Sequence, residues 1–535
     1  MNRMLCLLSV LLLLAGFAGA EESDRAVEES ETVIGGIVFH EGWDTRDNAR
    51  VFYEIFVGSF SDSNGDGIGD LRGIINRMDY LNDGDPTSGK SLGIEGIWLT
   101  PVFLSPSYHK YDVTDYEQID PAFGTMGDLQ ELITLCHERD VKLILDLPLN
   151  HTGDRNEWYL RFLEAHREGR ETDPYYDFYT WYPAGATLPA GRRFFEAADG
   201  LMVEANFSDS MPELNHDNPQ VREAALDIAR YYLAMGVDGY RFDAAKYLYL
   251  GDHDRCAAFW KWYVGELKKI HPEVYTVAEV WDTDSVIEQY AEAVNCFRFS
   301  ASQAEGTIAA AAKGGNVNRF TGDTRRYLEE IHAIRPDAMN IFFLSNHDMD
   351  RAAGFLTLAS GRMAMAANLY ILSPGSPFLY YGEEIGLRGS RGAAPTDANR
   401  RLKMAWGDGD TVRDPEGSHY DSQTADTVAG MQGKENSLLN YYKRLLMIRK
   451  ANPEIARGDY SVLSFPDSKA GGFLCTWNGR TAAVLHNTGR KAVALDLSEA
   501  TDMVFTGVEA AIGKGQASLE GTVLTIGPQT SAVLR

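Results

Sequence analysis

Residues 341–348, Ile-Phe-Phe-Leu-Ser-Asn-His-Asp, form an apolar run that stops abruptly at polar and charged residues. The same change occurs where the apolar run 275–278 meets Glu279, and the segment 239–243, Gly-Tyr-Arg-Phe-Asp, also ends at a carboxylate. A short apolar run that ends at polar residues is typical of a buried parallel strand. In an eight-stranded α/β barrel, the C-terminal ends of such strands carry the functional side chains. We therefore interpret the three segments as barrel strands.

From residue 51 onward, apolar segments of this kind alternate with amphipathic helical patterns. We predict strands at 51–57, 94–100, 141–147, 237–242, 274–278, 293–299, 340–344 and 378–381. We predict helices between them, among others at 126–139, 221–235, 256–270 and 325–333. This alternation indicates the α/β class, and it favours a closed (β/α)8 TIM barrel over an open sheet.

The sequence outside this alternation predicts three further regions. Residues 152–220 form a long connection rich in Tyr, Trp, Pro and Gly, and connections of that length are usually functional or small domains. We therefore predict an inserted subdomain after the third strand, between the barrel segments 47–151 and 221–453. Short strands and turns at 454–535 predict a C-terminal antiparallel β-sandwich. Residues 21–46 are acidic and lack periodic apolar positions, which predicts a flexible leader.

The first residues of the chain have the features of an export signal. A basic start at Arg3 is followed by the apolar run 5–17 and by Ala18-Gly19-Ala20, a small-x-small cleavage pattern. The apolar run is shorter than the ~20 residues that a membrane-spanning helix needs. We therefore predict that residues 1–20 are a signal peptide and that the protein is secreted, to the periplasm or to the exterior.

The net charge argues against several classes of partner, and the cysteine spacing predicts the state of the thiols. The formal net charge is −27, and removal of Arg3 with the signal peptide makes it −28. Such an acidic surface argues against nucleic acids and anionic membranes as partners, whereas a neutral substrate is compatible with it. We expect no nucleic-acid partner, no membrane partner after cleavage, and a monomer. The irregular spacing of the remaining cysteines resembles neither a disulfide scaffold nor a zinc site, which predicts buried, unpaired thiols. They are Cys136, Cys256, Cys296 and Cys475.

The three strand ends bring carboxylates of different expected acidity together. Arg241 lies two residues before Asp243 and on the same side of the strand, so its charge is expected to lower the pKa of Asp243, as a nucleophile requires. Glu279, near Trp281 and other acids, is expected to have a raised pKa, as a proton donor requires. Asp348 would hold sugar hydroxyls and stabilise developing positive charge. Paired carboxylates of this kind hydrolyse glycosidic bonds.

Two histidines at strand ends, His151 and His347, would hydrogen-bond the same sugar. Each residue taken alone has a simpler interpretation, such as a structural ion pair, a helix cap or a satisfied histidine. Three acids and two histidines at four strand ends together favour a glycosidase site. Among the aromatic residues near the predicted rim, Tyr111 stands apart because it lies in a polar segment, whereas Tyr108, Trp158 and Trp181 fit a core as well.

The segment 62–70, Asp-Ser-Asn-Gly-Asp-Gly-Ile-Gly-Asp, alternates oxygen ligands with glycines and resembles a calcium loop. It departs from an EF-hand because Gly73 occupies the twelfth position and a strand precedes it. An acidic loop of Asx-turns without a metal is the alternative. We predict a Ca2+ site. Its ligands would be Asp62, Asn64, Asp66, Asp70 and the backbone carbonyl of Ile68.

Six motifs in order resemble the signatures of the α-amylase family, glycoside hydrolase family 13, and the resemblance runs from about Val51 to the C-terminus. They are Asp146-Leu-Pro-Leu-Asn-His151, Met211-Pro-Glu-Leu-Asn215, Gly236-Val-Asp-Gly-Tyr-Arg-Phe-Asp243, Glu279-Val-Trp-Asp282, Phe343-Leu-Ser-Asn-His-Asp348 and Gly375-Ser-Pro-Phe-Leu-Tyr-Tyr-Gly-Glu-Glu384. The second motif resembles members intermediate between α-amylases and oligo-1,6-glucosidases. Tyr247 stands where many similar α-amylases carry a histidine at a second calcium site.

The resemblance implies that Asp243 is the nucleophile, Glu279 the general acid/base and Asp348 the transition-state stabiliser of a retaining enzyme. It also implies a set of substrate-binding residues. They are Tyr111, His151, Arg241, His347 and, at an acceptor subsite, Lys246. In a retaining site the nucleophile and acid/base carboxyl groups lie ~5–5.5 Å apart.

We therefore expect a secreted, calcium-binding, endo-acting α-amylase that cleaves α-1,4-glucosidic bonds of starch, glycogen or maltooligosaccharides. One alternative is an α-glucosidase, an oligo-1,6-glucosidase or a 4-α-glucanotransferase acting on short maltooligosaccharides. A second alternative is a non-catalytic glucan-binding protein on the same fold. Such a protein would lack one of the three carboxylates, and all three are present.

Overall fold

The computed structural model describes residues 31–40, 45–197, 200–392, 396–420, 424 and 426–535. The predicted signal peptide, residues 1–20, lies outside these residues. No helix in the described part of the chain is both long enough and apolar enough to cross a membrane.

The centre of the molecule is a parallel sheet of seven strands. In sheet order they are Asn295–Cys296, Tyr275–Ala278, Gly239–Phe242, Lys142–Leu147, Gly96–Leu99, Phe52–Ile55 and Phe378–Tyr380. The two edges of this sheet meet through the segment 340–344, because Phe297 pairs in parallel with Ile341 and Phe343 pairs in parallel with Phe378. The predicted TIM barrel is confirmed. Its seventh strand consists of these two bridges instead of a continuous strand.

Side chains that point inward from the strands fill the barrel. This inner cluster includes Phe52, Trp98, Ile144, Tyr275, Val277, Phe297, Ile341, Phe343 and Phe378. The rings of Phe52 and Phe378, on neighbouring strands, stack with their centroids 4.7 Å apart. The opposite faces of the strands pack against helices, as Tyr53 and Leu145 do. Burial on both faces explains why the strands read as continuous apolar runs.

Helices lie between and after the barrel strands. Their bounds are Leu71–Asn76, Met78–Leu81, Met126–Glu138, Pro219–Ala234, His253–Ile270, Asp284–Ile287, Thr307–Ala312, Val317–Ile334, Ala352–Phe355, Arg362–Ile371, Val428–Gln432, Leu438–Ala451 and Glu454–Arg457. Local sequence signals set their starts. Thr125 and Asp128 form a capping box before Met126–Glu138, and Asn218 caps Pro219–Ala234, which begins with proline.

The predicted inserted subdomain contains the helix Glu157–Arg167 and a three-stranded antiparallel sheet. The strands of this sheet are Trp181–Tyr182, Met202–Glu204 and Phe194–Glu196. A separate apolar cluster, which includes Phe162, Phe178 and Tyr179, holds the helix against the sheet. A further two-stranded sheet, Phe103–Leu104 with Asp115–Ile119, follows the second barrel strand. Each of these two insertions follows the C-terminal end of a barrel strand.

The C-terminal region forms two antiparallel sheets. The larger consists of Asp459–Ser464, Ala470–Trp477, Arg480–Asn487, Thr530–Leu534 and Val508–Gly513, and the smaller of Val493–Asp496, Val523–Ile526 and Ala517–Glu520. Leu485 and Leu534 of the larger sheet share one apolar cluster with Leu524 and Ile526 of the smaller. The predicted C-terminal β-sandwich is therefore confirmed.

Part of the predicted flexible leader has regular structure. Glu31–Ile34 and Ile37–His40 pair as an antiparallel hairpin around Gly35 and Gly36, both of which have positive φ. A two-residue Gly-Gly turn between β-branched residues is a hairpin signal. Ile37 is buried against the main core, and Arg444 Nη1 donates to the carbonyl of Gly35 at 2.9 Å. These contacts explain why the structure differs from the prediction here.

The predicted state of the cysteines is confirmed within the described residues. Cys136, Cys256, Cys296 and Cys475 are all buried and unpaired. Burial raises the pKa of each thiol.

Candidate active site

A cleft of about 1090 Å³ lies over the C-terminal ends of the barrel strands. It is lined by most of the residues that the sequence predicts for a glycosidase site, namely Tyr111, His151, Asp243, Lys246, Glu279 and Asp348. Arg241 and His347 are wholly buried beneath it. The fold thus gathers predicted residues that lie far apart in the sequence, because parallel barrel strands all end at the same rim.

Arg241 joins the two acids that the sequence predicts to act on the substrate. Its Nη1 lies 2.7 Å from Asp243 Oδ1 and 2.8 Å from Asp146 Oδ1, and its Nη2 lies 3.0 Å from Glu279 Oε2. The backbone N–H of Ala244 also donates to Glu279 Oε2, at 3.0 Å. One guanidinium therefore fixes both carboxyl groups in place, and a bound, planar guanidinium is a geometrically specific holder of carboxylates.

Burial governs the acidity of both carboxyl groups. For Glu279, burial raises the pKa, and the negative charges of Asp243 and Asp348 raise it further against the effect of Arg241. The predicted raised pKa of Glu279 is confirmed. For Asp243, the prediction of a lowered pKa is wrong. Burial raises the pKa of Asp243 more than the neighbouring Arg241 lowers it, and Asp348 adds to the rise.

Asp348 differs from the other two acids because it has two cationic partners. Its Oδ1 lies 2.7 Å from Arg401 Nη2, and its Oδ2 lies 3.1 Å from His347 Nε2. Although burial alone would raise the pKa of Asp348, His347 and Arg401 hold it well below its ordinary range. Asp348 is therefore a permanent anion, which suits a group that stabilises positive charge. Sequence reasoning did not identify Arg401, which lies outside the motifs.

Three predicted substrate-binding residues line the cleft in different ways. Tyr111 donates to Asp146 Oδ2 at 2.8 Å, and its ring stacks on that of His347 with centroids 5.6 Å apart. His151 Nε2 has no hydrogen-bond partner among the described residues, and burial lowers the pKa of His151 to about 4. This neutral imidazole can bond a sugar hydroxyl. Lys246 Nζ donates to the carbonyl of Trp281 at 2.6 Å.

Aromatic rings border the acids, as expected for a site that binds sugar faces. Phe207, from the inserted subdomain, is exposed and lies 4.8 Å from the ring of Tyr247. Trp281 is also exposed and stacks on Phe299. Tyr108 lines the cleft, whereas Trp158 packs in the apolar cluster of the inserted subdomain. Phe207 carries no sequence signal of its own, so its role emerges only from the fold.

The predicted calcium loop does not line this cleft. The side-chain oxygens of Asp62, Asn64, Asp66 and Asp70 each accept backbone N–H groups two to five residues further along, at 2.6–3.1 Å. These are Asx-turns and a helix cap, and they fold the loop around its own oxygens. Within the described ranges, no three His, Cys, Asp or Glu side chains are grouped so that they could hold a metal ion. The donors are all oxygens, as Ca2+ prefers, and carboxylates accept several partners at once.

Comparison with known proteins gives consistent matches. The description "Alpha amylase, catalytic domain" applies to the family model that matches residues 54–458. Alpha-amylase 3 of Dictyoglomus thermophilum is 34% identical over 451 residues, which cover 82% of this chain and 85% of that protein. A 4-alpha-glucanotransferase of Thermotoga neapolitana is 29% identical over 469 residues, covering 85% of this chain and 97% of that protein. The solved structure of Eubacterium rectale Amy13B is similar with a TM-score of 0.84 at 30% identity, covering 95% of this chain and 97% of that one.

Proposed function

Because this chain belongs to the α-amylase family of glycoside hydrolases, we propose that it is an endo-acting α-amylase that cleaves internal α-1,4-glucosidic bonds of starch or glycogen. The volume of the cleft is the main observation that supports this proposal. Its volume of about 1090 Å³ exceeds the ~300–1,000 Å³ of ordinary small-molecule sites. The exposed rings of Phe207 and Trp281 add apolar faces on which further sugar units would stack.

The geometry supports a double displacement. Asp243 attacks the anomeric carbon while Glu279 gives its proton to the leaving oxygen, and a glycosyl-enzyme ester forms. Glu279 then takes a proton from water, which attacks the same carbon and releases Asp243 with retained configuration. Arg241 contacts both carboxyl groups, so its positive charge offsets their mutual repulsion and holds them close together. Asp348 faces the same centre as a fixed anion.

A 4-α-glucanotransferase is the second candidate, and the similarity to the Thermotoga neapolitana protein favours it. The two activities share the glycosyl-enzyme intermediate and differ in what attacks it. In a transferase a sugar hydroxyl at the acceptor side replaces water. The residues Lys246 and Trp281, which lie together at the cleft, would then bind the acceptor.

A time course of products separates these candidates. We expect purified protein to release mixed oligosaccharides from soluble starch in the first minutes, with no early excess of glucose. Maltotriose alone should yield shorter sugars and no longer ones. Glucose as the first product from starch would contradict endo action and indicate an α-glucosidase. Products longer than maltotriose would instead identify a transferase.

We also propose that the loop 62–70 binds Ca2+ away from the cleft and stabilises the fold. Its oxygen-only donors support this, as does its position between the first barrel strand and the helix Leu71–Asn76, which Asp70 caps. A ligand that binds only the folded state stabilises it by roughly 2.7 kcal/mol at 100 times its Kd. The melting temperature should therefore rise by a few degrees with Ca2+ relative to excess chelator.

The variant Asp66→Ala should abolish this calcium-dependent shift. Asp227→Ala, which removes an exposed aspartate from the helix Pro219–Ala234, is the matched control and should keep the shift. Equal melting temperatures of the unmodified protein with Ca2+ and with chelator would rule the site out. A shift of the same size in Asp66→Ala would place the ion elsewhere.

We further propose that residues 1–20 direct export and are removed after Ala20. The basic start, the short apolar run and the small residues at 18–20 support this proposal. The four buried thiols are compatible with export, because a buried thiol does not need a reducing compartment to stay unoxidised.

A further inference from the structure

His347 lies between acceptors on both sides of its ring. Its Nδ1 is 2.6 Å from Glu54 Oε1, which lies on the first barrel strand. Its Nε2 is 2.7 Å from the Tyr111 hydroxyl and 3.1 Å from Asp348 Oδ2. The imidazole is wholly buried, so water does not complete these contacts.

These contacts determine how many protons the ring carries. The Tyr111 hydroxyl donates its proton to Asp146 Oδ2, so it offers His347 only a lone pair. Glu54 and Asp348, when ionised, also only accept hydrogen bonds. A neutral imidazole has one N–H and would leave one nitrogen facing an acceptor without a proton. While Glu54 and Asp348 are ionised, only the doubly protonated ring satisfies both sides.

Glu54 is buried, with 2% of its surface exposed, and it does not line the cleft. Its Oε1 accepts both the Nδ1–H and, at 3.2 Å, the backbone N–H of His347. The carboxylate thus fixes the position of the seventh-strand loop as well as the ring. Because Glu54 is separated from the substrate by His347, any effect on the reaction must pass through that histidine.

We propose that Glu54 is a positioning residue that keeps His347 doubly protonated, so that Nε2–H points at Asp348 and holds this carboxylate as a fixed anion beside the bond to be cleaved. This inference rests on the proposed glycosidase function. It gives Glu54, on the first barrel strand, an indirect role in the reaction, although this residue lies outside the six family motifs. Glutamine at this position would still accept the Nδ1–H bond, but it would not supply the charge.

The charges around His347 support this assignment. Burial lowers the pKa of His347, but Asp348 and Glu54 overcome that effect and raise it to about 10. Burial raises the pKa of Glu54, and the positive charges of His347 and Arg241 oppose the rise. Arg401 approaches from the opposite side, with its Nε donating to the His347 carbonyl at 3.1 Å. The two carboxyl groups on either side of the ring therefore favour a protonated His347.

The test is the ratio of kcat/KM between Glu54→Gln and the unmodified protein, measured against pH with a 4-nitrophenyl α-maltooligosaccharide. Without the carboxylate, the pKa of His347 should fall from about 10 to a lower pH, because Asp348 is then the only carboxylate that opposes the effect of burial on the ring. Below that pH the ratio should stay within about fivefold of one, since His347 is still protonated. Above it, the ratio should fall about tenfold per pH unit. Because Glu279 titrates in both proteins, its effect on kcat/KM cancels in the ratio.

Two variants separate charge from structure. Glu54→Asp keeps the charge and should lose activity by a similar factor at every pH. Glu384→Gln removes an equally buried carboxylate, one that accepts a hydrogen bond from Tyr53 at 2.6 Å, and should leave the pH profile unchanged. A pH-independent loss in Glu54→Gln, or the same alkaline loss in Glu54→Asp, would overturn the proposal.

A spectroscopic measurement tests the protonation state without relying on turnover. In protein labelled with 15N-histidine, both ring nitrogens of His347 should be protonated at pH 8, and His347→Gln identifies the signal. Glu54→Gln should show one unprotonated nitrogen at that pH. A neutral His347 in the unmodified protein would refute the inference. If the protein hydrolyses no maltooligosaccharide but His347 is doubly protonated, the proposed function fails and the ion pair stands.

Discussion

Asp243→Asn is expected to lower kcat/KM for maltooligosaccharides by roughly 10⁴–10⁶-fold, the range found when a catalytic nucleophile or its base is removed. The amide can still accept the hydrogen bond that Arg241 Nη1 gives to Asp243 Oδ1 at 2.7 Å, so the fold and the cleft should persist. An amide oxygen has no negative charge with which to form the glycosyl-enzyme ester. The loss should therefore appear in the chemical step and not in binding.

Initial rates on one maltooligosaccharide and calorimetric binding of the same sugar measure the two effects separately. Asp217→Asn is the matched control, because it removes an exposed aspartate that pairs with Arg255 and should leave both values unchanged. Activity of Asp243→Asn within tenfold of the unmodified protein would mean that another group is the nucleophile.

Glu279→Gln is expected to cost about 10²–10⁴-fold with natural substrates, the usual contribution of general acid–base catalysis. The loss should be much smaller for formation of the intermediate from a maltosyl fluoride, because fluoride leaves without a proton. Turnover of the two substrates, followed by released reducing sugar and by released fluoride, gives the comparison. Equal losses with both would show that Glu279 is not the proton donor.

The same variant should change the pH dependence. Glu279 acts first as an acid, so activity of the unmodified protein falls as the pH rises through its pKa. Burial and the charges of Asp243 and Asp348 raise that pKa, which moves the alkaline limb above the ordinary range of a glutamate. In Glu279→Gln this limb should disappear. The acid limb reflects Asp243, whose raised pKa moves this limb above the ordinary range of an aspartate, and it should remain.

The change from apolar to polar residues at strand ends, together with the alternation of strands and helices, predicted the barrel and the position of Asp243, Glu279 and Asp348 at its rim. At 275–279 and 341–348 the pattern is strong because a barrel strand is buried on both faces and its end is not. The structure departs from this pattern at 340–344, which pairs through two isolated bridges instead of a continuous strand. The hairpin at 31–40 was not predicted, because the acidic composition of the surrounding residues suggested a flexible leader. Its Gly35-Gly36 pair is nevertheless a turn signal.

The features that were not predicted from the sequence depend on contacts between residues that lie far apart in the chain. Arg401 and Glu54 contact Asp348 and His347 from segments far away along the chain, and neither lies in a motif. The direction of the pKa shift of Asp243 was also wrong, because the sequence shows that Arg241 is near but not how deeply the pair is buried. Burial outweighs one neighbouring charge here, and only coordinates reveal its extent.

The buried thiols give the folded molecule a property that its composition does not suggest. Exchange between a thiol and a disulfide needs a thiolate that is accessible. Burial prevents access to the thiols and raises the pKa of each one. These thiols are Cys136, Cys256, Cys296 and Cys475. Thiol–disulfide exchange with the surroundings therefore has no accessible thiol to act on among the described residues while the fold is intact. These four thiols therefore stay unmodified when the folded protein moves between reducing and oxidising surroundings, and they become reactive only when it unfolds.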